Sequence, residues 1–115
     1  MSSDQFQSLL RAAIDELESP RLRSELLSGL ITPVRERWTF WTETGQGDVW
    51  LFFIIPSRPS VALAYSDDGY NELGRRWGLV FVHGGHYGDA DCWYDSLSDL
   101  IVDSGYFDTS STLNV

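Results

Sequence analysis

The 115-residue sequence predicts one α+β domain: two N-terminal helices, a four-stranded antiparallel meander, and one C-terminal helix packed on the sheet. Three observations predict it. Apolar residues recur at helical spacing up to Gly29, alternation at period two runs from Arg37 to His83, and helical spacing returns after Asp91. Helices, then strands, then a helix, without βαβ alternation, indicate an antiparallel sheet with segregated helices. Apolar residues make up 43% of the chain and aromatics 14%, which excludes disorder from low hydrophobicity, and the length suits a single self-sufficient core.

Ser2 with Gln5 three residues on has the form of a capping box, and Phe6, Leu9, Leu10, Ala13, Ile14 and Leu17 trace one apolar face, which predicts a helix over 4–18. Ser19-Pro20 offers an N-cap followed by proline at the first helical position, where its missing N–H costs nothing. Leu22, Leu26 and Leu27 then run to Gly29, a residue that ends helices, so a second helix is predicted over 20–28. Thr32-Pro33 closes the helical part, because the residue before proline is pushed toward extended geometry.

Trp38, Phe40 and Thr42 alternate with Thr39, Trp41 and Glu43, giving a first strand from Arg37, and Gly45-Gln46-Gly47-Asp48 forms a turn. Val49 to Ile55 is apolar at every position, as in a central strand covered on both faces. Ser60 to Ser66 is the third strand, with Val61, Leu63 and Tyr65 on one face; the small Ala62 and Ala64 on the other leave room for a helix. Asp67-Asp68-Gly69 reads as the next turn, and Arg75 to His83 as the fourth strand. Five Trp and a doubly apolar strand exceed what one helical layer needs, so the second sheet face is expected to be covered by the N-terminal helices or by a second subunit in a homodimer.

His83 to Ala90 is a Gly-rich loop. Asp91 suits an N-cap; Trp93, Leu97, Leu100, Ile101 and Ser104 gather on one face, and Gly105 suits the residue after the helix end. On that helix Asp91, Asp95, Asp99 and Asp103 recur every four residues and occupy a sector of about 120°. Three like-charge pairs at i,i+4 cost roughly 1 kcal/mol in an isolated helix. No Arg or Lys follows Arg76, so the row is expected to be balanced by Arg75 or Arg76 across the fold, or by a basic partner. Residues 109–115 read as a frayed tail.

Seventeen acidic against eight basic residues, all Arg, give a net charge of −9, which disfavours nucleic acid and anionic membrane as direct partners and favours basic protein surfaces. A lone Cys92 forms no internal disulfide, no charged segment followed by an apolar one opens the chain, and the longest apolar run is far too short to span a bilayer. The expected location is the cytoplasm.

His83, His86 and Asp89, with Asp91 and Cys92 close behind, are the residues a metal would use, but the spacing lacks a second distant ligand pair, so neither metal nor cofactor is expected. Val80 to Gly85 resembles the strand and oxyanion-hole segment of α/β-hydrolase esterases, which implies backbone N–H donors after His83. The sequence has no G-x-S-x-G nucleophile elbow, and no phosphate-cradling loop. The expectation is therefore a non-enzymatic domain that masks a basic protein, such as a toxin or nuclease, through Asp95, Asp99, Asp103, Asp67 and Asp68. Inhibitors and immunity proteins work in this way, placing carboxylates and aromatic anchors over a basic site. The order of two helices, a meander and an Asp-rich final helix is broadly similar to toxin-immunity domains. A dimeric adaptor or secretion chaperone, and a metal-dependent hydrolase using the His83–Asp89 loop, are the alternatives.

Overall fold

The computed structural model describes residues 2–38, 47–70, 74–82 and 92–107. In chain order the elements are α1 (Ser3–Asp15), α2 (Pro20–Gly29), β1 (Leu30–Trp38), β2 (Gly47–Ile54), β3 (Val61–Tyr70), β4 (Arg75–Phe81), β5 (Trp93–Tyr94) and α3 (Leu97–Ser104). The strands form one antiparallel sheet in the order β1-β2-β3-β4-β5. The α+β architecture and the meander are those expected, with a fifth strand added.

Both N-terminal helices begin where the caps placed them. Ser2 Oγ accepts from the Gln5 amide at 3.2 Å while the Ser2 amide donates to Gln5 Oε1 at 2.7 Å. Ser19 Oγ accepts from the Leu22 amide at 3.3 Å. α1 stops at Asp15, three residues short of the end expected at 18, yet Leu17 stays buried just beyond it. Gly29 is the last residue of α2 and not a left-handed cap; a Cβ there would lie 2.4 Å from the Phe53 ring, so the glycine lets the helix end approach the sheet.

β1 begins at Leu30, seven residues before the strand expected from Arg37. Leu30 faces Phe53 and Val34 faces Leu51, so four steps of β1 match two of β2, and Thr32-Pro33 sits in an irregular stretch. A proline without an N–H is tolerated there because β1 is an edge strand. Of the first hairpin turn expected over 45–48, Gly47 and Asp48 belong to β2, while residues 45–46, the expected strand residues 39–43 and the tail residues 109–115 lie outside those described. Asp67-Asp68-Gly69 does not end β3: the strand continues to Tyr70, with Tyr65 opposite Trp77 and Tyr70 opposite Arg75. Asp and Gly mark bulges as well as turns, and here they occupy five steps of β3 against two of β4.

The apolar run in β2 owes its pattern to a bulge. Leu51 faces Ala64 and Phe53 faces Leu63, so one extra residue enters β2 and the side-chain alternation changes phase. Trp50 and Phe52 before the bulge, and Phe53 and Ile55 after it, all belong to one cluster with Val61, Leu63, Tyr65 and Trp77. The apolar residues of all three helices join this cluster: Phe6, Leu10, Ile14, Leu22 and Leu26 from α1 and α2, and Leu97, Leu100 and Ile101 from α3. Phe6 sits at its centre, stacked on Trp50 at 5.3 Å and tilted against Tyr65 at 5.5 Å and Phe52 at 5.9 Å.

The opposite face holds a second cluster of Val49, Leu51, Ala62, Ala64, Val80 and Trp93. The space over Ala62 and Ala64, expected to admit a helix, is used by Trp93 instead. Trp93 lies opposite Gly78 in the β4–β5 pairing, and a Cβ on Gly78 would meet the indole at 2.4 Å. The N-terminal helices do not cover this second face. Val49, Ala62, Ala64 and Trp93 are fully buried within one chain, which removes the observation that called for a second subunit there.

Candidate functional site: the acidic surface of α3

α3 has eight residues, fewer than the thirteen that the row from Asp91 to Asp103 spans. Ser96 is its N-cap, with Ser96 Oγ accepting from the Asp99 amide at 3.1 Å, and Gly105 ends it with φ 77° in the left-handed region. The four-residue Asp row is therefore not one helix edge. Asp91 lies outside the described residues, and Asp95 precedes the cap in the bend after β5. Among the described residues, Asp99 and Asp103 are the members of the row in α3, and they form one like-charge i,i+4 pair. Trp93, expected on the helix, is in β5, because its indole is needed over Gly78 and the chain turns into α3 only after it.

Asp99 lies in the first turn, where the unsatisfied amides of the helix favour a negative charge, whereas Asp103 lies near the carboxyl end, where they do not. Asp95, Asp99 and Asp103 are all exposed. Val102, next to Asp103 and one turn beyond Asp99, is 56% exposed, the most open large apolar side chain among the described residues. α3 thus turns Leu97, Leu100 and Ile101 to the core and presents the apolar Val102 beside Asp99 on its outer face.

Arg75 and Arg76 do not balance these carboxylates. The Arg75 guanidinium donates to the Trp93 carbonyl at 3.4 Å, tying β4 to β5. Arg76 acts on the Tyr65 hydroxyl. Among the described residues no cation pairs with Asp95, Asp99 or Asp103. Asp67 is also exposed and accepts from the Tyr65 hydroxyl at 3.4 Å, and Asp68 follows it in β3. Burial, reinforced by the Asp67 charge, raises the Tyr65 pKa above its ordinary value; Arg76 opposes this less strongly.

The register brings part of the expected set together. Tyr65 faces Trp77 and Trp77 faces Tyr94, so Asp67 and Asp95, each just past its strand's pair, stand toward the same end of the sheet on either side of β4. Asp99 and Asp103 continue along α3. His83, His86 and Asp89 lie outside the described residues. Among the described residues no three His, Cys, Asp or Glu side chains gather as metal ligands, and no helix is long and apolar enough to cross a membrane. Two features escaped sequence reasoning: the exposed Val102, which has no signature outside its helical context, and the Ser96-x-x-Asp99 cap, whose spacing does. No protein-family model, curated protein or solved structure matches the chain.

Proposed function

We propose that this is a non-enzymatic, cytoplasmic protein-binding domain that masks a basic protein surface, in the manner of an inhibitor or immunity protein of a toxin or nuclease. The observation that carries the reading is the outer face of α3: Asp95, Asp99 and Asp103 exposed and without a described cationic partner, around the exposed Val102. Carboxylates left unbalanced in a chain of charge −9 repel nucleic acid, speed encounter with a cationic surface and set its register, while an apolar side chain among them supplies contact area. Asp67, exposed on β3, extends the surface past β4, and Asp68 is the next residue in the chain.

The test is charge reversal at the two positions that do not stabilise α3, Asp95→Arg with Asp103→Arg. Binding of parent and variant to a panel of purified cationic ribonucleases and deoxyribonucleases is followed by biolayer interferometry, alongside residual nuclease activity. The parent is expected to bind and inhibit at least one member, with affinity falling steeply with salt, and the double variant to lose about tenfold or more in affinity, about 1.4 kcal/mol. Equal affinity of the two proteins would remove α3 as the recognition surface.

A further inference from the structure

Beyond the α3 reading, we infer that the free edge of β1, with the groove between it and α1, is a strand-addition site for an extended segment of a different polypeptide. β1 ends the sheet, so one side of its backbone faces no strand among the described residues. At Ile31, Thr32 and Pro33 the register with β2 is interrupted as well, and these residues form one wall of a groove of about 740 Å³. The other wall is α1, with Leu10 at its base and Gln7, Ser8, Arg11 and Asp15 along it. Val34, 45% exposed, continues the edge beyond the groove. An extended segment laid against β1 gains main-chain bonds from the edge and apolar contact from Leu10, Leu30, Ile31 and Pro33.

The charges define the occupant. Arg11 and Asp15 stand one turn apart on α1, about 6 Å along the axis, and neither is paired with another described residue. A strand repeats side chains on one face about every 6.8 Å. The wall therefore matches a segment carrying one acidic and one basic residue at i and i+2, and disfavours a segment with two like charges there. A second copy of β1 is a poor occupant. Antiparallel pairing of two identical edges about a two-fold axis sets one residue opposite its own copy, because a one-residue offset would put adjacent side chains on the same face. Centred on Arg35 it opposes two arginines, centred on Glu36 two glutamates, and like charges directly opposite are destabilising. Centred on Val34 it runs into the irregular stretch at Thr32-Pro33. Self-pairing is thus disfavoured at the centre of the edge, where a heterologous strand meets no such repulsion.

The probes are three blocked heptapeptides: Thr-Val-Glu-Val-Lys-Val-Thr, its Glu/Glu form and its Lys/Lys form. Each is titrated to millimolar concentration into ¹⁵N-labelled full-length protein at a salt concentration that screens the net charge. Shifts are expected within Gln7–Asp15 and Leu30–Val34, with the mixed-charge peptide binding about fivefold more tightly than either like-charged one, roughly 1 kcal/mol. Arg11→Glu, on the exposed side of α1, is expected to keep the parent's circular dichroism and to transfer the preference to the Lys/Lys peptide. Absence of shifts in these segments, equal affinity for all three peptides, an unchanged preference in Arg11→Glu, or a β1-paired homodimer in sedimentation would each overturn the proposal.

Discussion

Replacing Gly78 by Ala tests how α3 is held in place. The added Cβ would meet three indole atoms of Trp93 at 2.4, 2.5 and 2.7 Å. Carbon contacts settle at about 3.5–4.0 Å, so the ring must move by roughly 1 Å. It has no room, being fully buried among Val49, Leu51, Ala62, Ala64 and Val80. Reduced freedom of the unfolded chain favours Ala by about 0.5–1 kcal/mol, and overpacking at contacts this short in a filled core costs about 2–3 kcal/mol. The displaced ring also strains β5, two residues long and joined to β4 by pairing and by the Arg75 bond to the Trp93 carbonyl. The net expectation is a loss of about 1–2.5 kcal/mol, or a Tm lower by roughly 4–10 °C for a chain of this size. Urea unfolding followed by circular dichroism measures it. A Gly78→Ala protein as stable as the parent, within about 0.3 kcal/mol, would refute the claim that Trp93 packs on Gly78. The Gly78→Ala, Trp93→Phe double variant adds a second check, since a smaller ring should make the two changes strongly non-additive.

Two further outcomes follow from the site. Ser96→Ala removes the acceptor for the Asp99 amide and should cost about 1 kcal/mol, read from urea melts; unchanged stability would mean that α3 starts at another cap, such as the Asp91 expected from spacing. The raised Tyr65 pKa gives a pH dependence: the folded chain holds this proton more tightly than the unfolded one, so its stabilisation is complete below the ordinary tyrosine range near 10 and is lost as pH rises through the folded value. Stability between pH 9 and 11 should fall more steeply in the parent than in Tyr65→Phe, and parallel profiles would show that Tyr65 is unperturbed.

Much of the fold was legible because its signals are local. The Ser2–Gln5 box, Ser19-Pro20 and Gly105 act through backbone groups a few residues away, and the structure uses them as read. The errors share a cause. Asp67-Asp68-Gly69 has the chemistry of a turn and of a bulge alike, and the choice depended on how Tyr70 pairs with Arg75. Residues 30–36 carry a proline that weakens a strand reading, and its place in the end strand, at an irregular stretch of the pairing, makes it admissible. The continuous apolar run in β2 implies burial of two faces, whereas burial and a phase-changing bulge both contribute.

The acidic surface shows the same division. By itself, the sequence determined the charge, its concentration after Arg76 and the helix that carries Leu97, Leu100 and Ile101, since each follows from composition or from a period within one segment. Only the tertiary structure decided which Asp residues belong to that helix. Trp93 is committed to the sheet by the absence of a side chain at Gly78, fifteen residues earlier, so the helix cannot start before Ser96. The fit of one indole over one glycine thus sets Asp95 in a bend, Asp99 at a favourable helix end and Asp103 at an unfavourable one, because packing between distant residues outweighs the tenths of a kcal/mol that local spacing controls.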